Sequence, residues 1–303
     1  MGYFDLQVNG YAGVDFNTPG MESEKLEAVC RRLESQGVDS ILATVITDTI
    51  PEMQARLRQI VALRKQSELA RRVIQGIHIE GPFINPENGF RGAHPLDAVT
   101  LTDIGSMEQL LDAGDGLTRI VTLAPERDPG MKVTRLLADK GITVSAGHTN
   151  ASLDELKQAV DAGLSMFTHT GNGCPATMHR HDNIVQRALS LRGQIWLCFI
   201  ADGVHVPFFA LKNYLALAGL EKTVIVTDAI VAADLGPGRF QFGRWDLLIG
   251  DDLVARAPDS SHFVGSTVTM PKSFENLTTH LGMSAAEARL LLEANPRRAI
   301  GLQ

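Results

Sequence analysis

Short apolar runs rich in β-branched residues recur along the whole chain, with helix-like segments between most of them. The runs lie at residues 4–8, 40–46, 73–79, 118–123, 142–145, 166–168, 195–200 and 223–226. Runs this short read as buried strands. The segments at 22–36, 51–71, 131–140, 152–162 and 207–217 instead carry the apolar spacing of amphipathic helices. Strands alternating with helices mean βαβ units and a parallel sheet. Eight such units in about 230 residues predict an α/β fold, a closed (β/α)8 TIM-like barrel. No G-x-G-x-x-G follows the first run to argue for an open doubly wound sheet. Residues 236–261 depart from the repeat: Gly, Pro and Asp surround 239–242 and 245–249, which read as a β-hairpin inserted after the eighth strand. Closing helices are expected at 271–281 and 285–294. With no linker, low-complexity tract or internal repeat, residues 1–303 read as a single barrel domain.

Composition narrows the function classes. A formal charge of −7, from 28 basic and 35 acidic side chains, argues against a nucleic-acid surface while allowing a local pocket for a small anion. No stretch reaches the roughly 18 uninterrupted apolar residues of a membrane helix, so no membrane partner is expected. The first eight residues have neither a basic start nor a long apolar run, unlike a signal peptide. Cys30, Cys174 and Cys198 are odd in number and widely spaced, which suits a reducing, cytoplasmic setting.

In a barrel of this kind the active site sits at the C-terminal ends of the strands. The first run ends in Gln7 and Asn9, the third in His78, Glu80 and Gly81, and the fifth in Gly147 and His148. The sixth ends in His169, the seventh in Asp202 and His205, and the eighth in Asp228. Singly, each is an ordinary hydrogen-bonding residue or helix cap. Together they are costly to gather among apolar strands without a cation. Glu80, His148 and His169 offer one oxygen and two imidazoles, a set suited to zinc or iron(II) with one position left for water. Asp228 is then the natural general base, returning its proton to a leaving amine.

These residues stand in strings that occur in a fixed order: Gln7-Val8-Asn9-Gly10, His78-Ile79-Glu80-Gly81-Pro82-Phe83, Gly147-His148-Thr149, Thr168-His169-Thr170-Gly171-Asn172, Ala201-Asp202-Gly203-Val204-His205 and Val226-Thr227-Asp228-Ala229. With Val264-Gly265-Ser266 and Asn295-Pro296, they closely resemble the N-acetylglucosamine-6-phosphate deacetylase family of the amidohydrolase superfamily, from Gln7 to Leu302. The resemblance implies Glu80, His148 and His169 as metal ligands and Asp228 as catalytic acid/base. It implies His94 as a residue that helps polarise the substrate carbonyl. His205 and Asn172 match residues that hold the amino sugar and its phosphate, and Arg180 matches an arginine that reaches the neighbouring subunit's phosphate in a homodimer.

Superfamily members with two metals carry His-x-His in the first strand, where this chain has Gln7 and Asn9. Neither amide is a strong transition-metal ligand, so one divalent ion per chain is expected, with both amides hydrogen-bonding water or ligand. Gly173 and Cys174 stand where the family commonly has Ala and Met, beside the expected sugar pocket. The family's small β-sandwich draws on both flanks of the barrel. This chain starts six residues before Gln7 and stops seven after Pro296, so the sandwich is expected to be absent or severely reduced. The function so implied is metal-dependent hydrolysis of the acetamide of N-acetylglucosamine 6-phosphate to glucosamine 6-phosphate and acetate. Two alternatives are a deacylase of a related N-acyl amino sugar or N-acyl amino acid, and a non-catalytic barrel serving as a binding subunit. His78 reads as a neighbour of Glu80 or as core, and His262 and His280 as surface.

Overall fold

The computed structural model describes residues 2–257 and 262–302. Met1, residues 258–261 and Gln303, at the ends of the expected domain and the tail of the 236–261 segment, lie outside the described residues.

Eight parallel strands run in chain order as one sheet: Tyr3–Val8, Val38–Ile46, Ile74–Glu80, Thr118–Leu123, Thr143–Ala146, Leu164–Phe167, Trp196–Ile200 and Thr223–Val226. The first and last come together at one end, where Val8 bridges Ala229 and the Asn9 amide donates to the Ala229 carbonyl at 2.7 Å. The expected (β/α)8 barrel is therefore the observed architecture. Strand alternation sorts the side chains. Phe4, Leu6, Leu42, Ile120, Met166, Val224 and Val226 form a cluster of their own inside the barrel. Ile41, Ala43, Val45, Val121, Phe199 and Ile225 belong to the larger core under the helices.

Two residues further along several strands, the inward positions turn polar. The Thr122 hydroxyl lies 2.7 Å from His78 Nε2 and 2.7 Å from Thr168 Oγ1, and Ser145 Oγ lies 2.6 Å from Thr168 Oγ1. His78 Nδ1 donates to the Leu6 carbonyl at 3.1 Å, and burial pulls its pKa down to about 4. His78 is thus a neutral, fully partnered member of this layer rather than a ligand. The layer separates the apolar barrel floor from the mouth.

Helix ends follow local chemistry. The segment expected as one helix at 51–71 is two, Ile50–Gln66 and Glu68–Val73, because the Ser67 hydroxyl accepts from the Ala70 amide and starts a new helix. Ile104–Ala113 and Ile184–Ser190 are further helices beyond those the apolar spacing predicts, capped by Asp103 and Asn183. The closing helices are Met270–Thr279 and Ala285–Arg289; the latter runs through a π-helical turn into Asn295–Ala299. Asn295 Nδ2 donates to the Leu220 and Thr223 carbonyls at 2.7 Å, anchoring this end at the base of the eighth strand.

After the eighth strand, Gly238–Phe242 pairs antiparallel with Trp245–Ile249. The turn of this hairpin reaches across the mouth. Gly243 N donates to Asp15 at 2.8 Å, Arg244 joins Asp97 and Asp48, and the Trp245 indole donates to the Ala93 carbonyl at 2.9 Å.

Candidate active site

A cavity of about 550 Å³ opens at the C-terminal ends of the strands. Glu80 ends the third strand, whereas His148, His169 and Asp228 each stand two residues beyond the fifth, sixth and eighth. In all three of those turns the side-chain-bearing residue adopts a left-handed backbone, with φ of +50° at His148, +30° at His169 and +54° at Asp228. Non-glycine residues avoid that region, so its repetition at the mouth marks a constellation held by its surroundings.

Glu80 Oε1 lies 3.1 Å from His169 Nε2 and 3.4 Å from His148 Nε2, and the two nitrogens are 3.1 Å apart. The chemistry of this trio tests whether a cation fits. His148 Nδ1 is 2.8 Å from the Phe90 carbonyl, which can only accept, so neutral His148 carries its proton there and presents a bare Nε2. That nitrogen faces a carboxylate oxygen, the His169 nitrogen and, at 3.2 Å, His94 Nε2. A bare imidazole nitrogen facing a carboxylate oxygen is satisfied by a cation between them, and Glu80, His148 and His169 could bind a metal. Where protons take the cation's place, burial still works to raise the Glu80 carboxyl, but the hydrogen bonds and charges of His148 and His169 hold it well below the usual range.

The first-strand amides sit beneath. Gln7 Nε2 donates to Glu80 Oε1 at 3.0 Å and to Asp228 Oδ1 at 3.1 Å, and Asn9 Nδ2 donates to the same Asp228 oxygen at 2.7 Å. Burial, followed by the charge of Glu80, raises the Asp228 carboxyl above its ordinary value. His94 closes the opposite wall. Its Nδ1 is 2.8 Å from the Thr47 hydroxyl, its ring stands edge-on to His148, and burial plus the neighbouring His148 drop its pKa to about 3.

His205, Asn172 and Gly173 line the same cavity. His205 Nδ1 is held 2.6 Å from Asp202 Oδ2, which fixes its ring beside the cavity, and Asn172 Nδ2 is buried with no partner among the described residues. Gly173 presses its backbone over the two imidazoles: a Cβ there would lie 3.0 Å from His148 Nδ1 and 3.1 Å from His169 Cε1. Arg180 is exposed on the loop after His169 and does not line this cavity. Cys174 lines it, but burial pushes its thiol up to about 11. His262, expected at the surface, lines it too, edge-on to Trp245. His280 is exposed as expected.

Phe242, which lines the cavity, Thr47, which meets His94, and Glu126, which accepts from the Thr149 hydroxyl and the Asn150 amide just past His148, are absent from the set that the sequence suggests. Thr47 and Glu126 follow the second and fourth strands, so the same strand-end test would have found both.

Fold and site together define a class: a (β/α)8-barrel enzyme whose mouth gathers a carboxylate and two imidazoles able to hold a metal. No family model matches the chain. It is 33% identical over 309 residues to the N-acetylglucosamine-6-phosphate deacetylase of Bos taurus, covering 100% of this chain and 74% of that one. It is 29% identical over 300 residues to the N-acetylgalactosamine-6-phosphate deacetylase of Escherichia coli O157:H7, covering 99% and 77%. A mutant N-acetyl-D-glucosamine-6-phosphate deacetylase from Mycobacterium smegmatis, solved with N-acetyl-D-glucosamine-6-phosphate, superposes with a TM-score of 0.89 at 27% identity, over 99% of this chain and 77% of that one. The chain belongs to the N-acetylglucosamine-6-phosphate deacetylase family.

Proposed function

We propose that this enzyme removes the acetyl group of N-acetylglucosamine 6-phosphate, and that residues 1–303 act as one barrel domain with a single zinc or iron(II) at Glu80, His148 and His169. The observation that carries this reading is the meeting of that trio with Asp228 in one cavity, on a chain of this family. The metal supplies Lewis-acid polarisation of the amide and of the attacking water. Asp228, oriented by the Gln7 and Asn9 amides, takes the proton of the water as it attacks the acetyl carbon and delivers a proton to the departing amine. His94, steadied by Thr47, helps polarise the acetyl carbonyl from the opposite wall of the cavity. His205 and Asn172 hold the sugar and its phosphate, and Gly173 lets the chain approach them closely. Arg180, exposed and outside this cavity, fits a role in a homodimer, where it reaches the phosphate in the neighbouring subunit. The three free thiols suit a reducing, cytoplasmic setting. Among the described residues no helix is long and apolar enough to cross a membrane.

The likeness to an N-acetylgalactosamine-6-phosphate deacetylase supports a second reading, in which the 4-epimer is the preferred substrate. Acetate release from the two phosphorylated epimers and from unphosphorylated N-acetylglucosamine, measured beside metal content, decides between them. The expected result is about one metal per chain, fastest release from N-acetylglucosamine 6-phosphate, and a KM raised on the order of tenfold by Arg180→Ala for phosphorylated substrate only. Release from neither phosphorylated sugar would overturn the assignment.

A further inference from the structure

We propose that Glu126 is a positioning residue for His148, stapling together the two stretches of backbone that fix this imidazole at the mouth. The proposal rests on the reading of His148 as a metal ligand. Glu126 lies in a short 3-10 turn, Pro125–Arg127, just past the fourth strand, between the third-strand loop and the turn after the fifth. Its Oε1 accepts from Asn85 Nδ2 at 2.9 Å and from the Asn150 amide at 2.7 Å, and its Oε2 accepts from the Thr149 hydroxyl. The partners come from two segments, and both segments hold His148.

On one side, the loop that begins with Asn85 grips His148 twice. The Asn85 amide donates to the His148 carbonyl at 2.9 Å, and the Phe90 carbonyl accepts from His148 Nδ1 at 2.8 Å. The second of these bonds sets the tautomer that leaves Nε2 bare. On the other side, Thr149 and Asn150 follow His148 directly and carry the chain out of its left-handed backbone, φ +50°. The Thr149 hydroxyl also accepts from the Ala151 amide at 2.9 Å, so its own hydrogen is free for Glu126. A residue in that conformation persists only where its surroundings over-determine it. Glu126 supplies the cross-link: among the described residues the other hydrogen bonds joining the loop to the turn are those of His148 itself, with the Asn85 amide and the Phe90 carbonyl.

An ionised carboxylate accepts at both oxygens and so matches three donors. A glutamine keeps one accepting oxygen for Asn85 and Asn150. Its amide nitrogen can donate to Thr149 Oγ1, which has a lone pair to spare. An alanine removes all three bonds.

The test titrates the zinc-loaded enzyme against a chromophoric chelator and records the thermal midpoint of the same samples. Disturbing the outer partners of a metal-ligating histidine typically weakens the metal by about 10- to 100-fold, and Glu126→Ala is expected in that range, with Glu126→Gln within about threefold of wild type. A role confined to loop stability would lower the thermal midpoint of Glu126→Ala and leave zinc affinity within about threefold, and that result overturns the proposal. If Glu126→Ala does not fold, Asn85→Ala cuts one arm of the staple; a zinc affinity within about twofold of wild type then overturns it. Wild-type protein that takes up no zinc or iron(II) is a different failure, since it removes the metal reading of the site itself.

Discussion

Two sets of buried carboxylates occupy neighbouring levels of one barrel, and the fold treats them in opposite ways. Asp5 lies in the seam between the first and eighth strands, 2% exposed. Its Oδ1 accepts from the Gln7 and Thr227 amides at 3.2 Å, and its Oδ2 accepts from the Thr227 hydroxyl. Every partner is a neighbour on those two strands, so the seam satisfies itself. Glu80 and Asp228, one level up at the mouth, share donors across strands and stand beside imidazoles whose nitrogens converge. Burial acts on all of these carboxyls alike. It raises Asp5 to about 7, while at Glu80 the imidazoles overcome it. A polar cluster that the chain fully answers is structural, and one that it leaves waiting for a guest is where chemistry belongs.

The sharpest break in this contrast is to make the same isosteric change at each level. Asp228→Asn keeps the shape at the mouth but removes the carboxylate proposed to take the proton, so kcat should fall by about 10²- to 10⁴-fold while metal content is unchanged. Asp5→Asn, by contrast, should leave kcat within about twofold, because the amide reproduces the protonated carboxyl at a site that touches no reacting atom. Equal losses in the two variants would dissolve the distinction.

A smaller effect probes how the mouth depends on distant chain. The Trp245 indole on the hairpin donates to the Ala93 carbonyl, next to His94. Trp245→Phe retains most of the packing and deletes that bond, which is worth on the order of 1 kcal/mol, so kcat should drop by roughly threefold to tenfold with the metal retained. An unchanged kcat would show that Thr47 alone holds His94.

Much of this was legible in the chain. The eight strands emerge from apolar runs because each must be buried on both faces of a barrel. Glu80, His148, His169 and Asp228 emerge because so many ionisable groups at neighbouring strand ends are too costly to bury unless they share a cation. What escaped is non-local. The pairing of Glu126 with Asn85 spans 41 residues, and the hairpin's grip on Ala93 spans 152. No spacing rule encodes either. The break at Ser67 was hidden in another way, since the apolar period carries on past it and only the hydroxyl's bond to the Ala70 amide ends one helix and starts the next. His262 misled because histidine's place, in solvent or in a wall, depends on the ring it meets, here Trp245.

The smallest expected effect tests the seam alone, through pH. The folded Asp5 carboxyl titrates near 7 against an ordinary value of 3.8, so the folded state binds this proton more tightly than the unfolded chain. Stability from the protonated form is complete below 3.8 and is lost as pH rises through 7. Asn at position 5 cannot ionise; at every pH its oxygen keeps the two backbone donors, and its amide nitrogen donates to the Thr227 hydroxyl instead of accepting from it. Wild type and Asp5→Asn should therefore melt together near pH 4, and the variant should melt higher at pH 8, by roughly 2 to 6 °C. A constant difference across that range would mean that the Thr227 and Gln7 donors hold Asp5 ionised. The seam would then resemble the mouth in keeping a buried charge, but with hydrogen bonds from its own two strands in place of imidazoles.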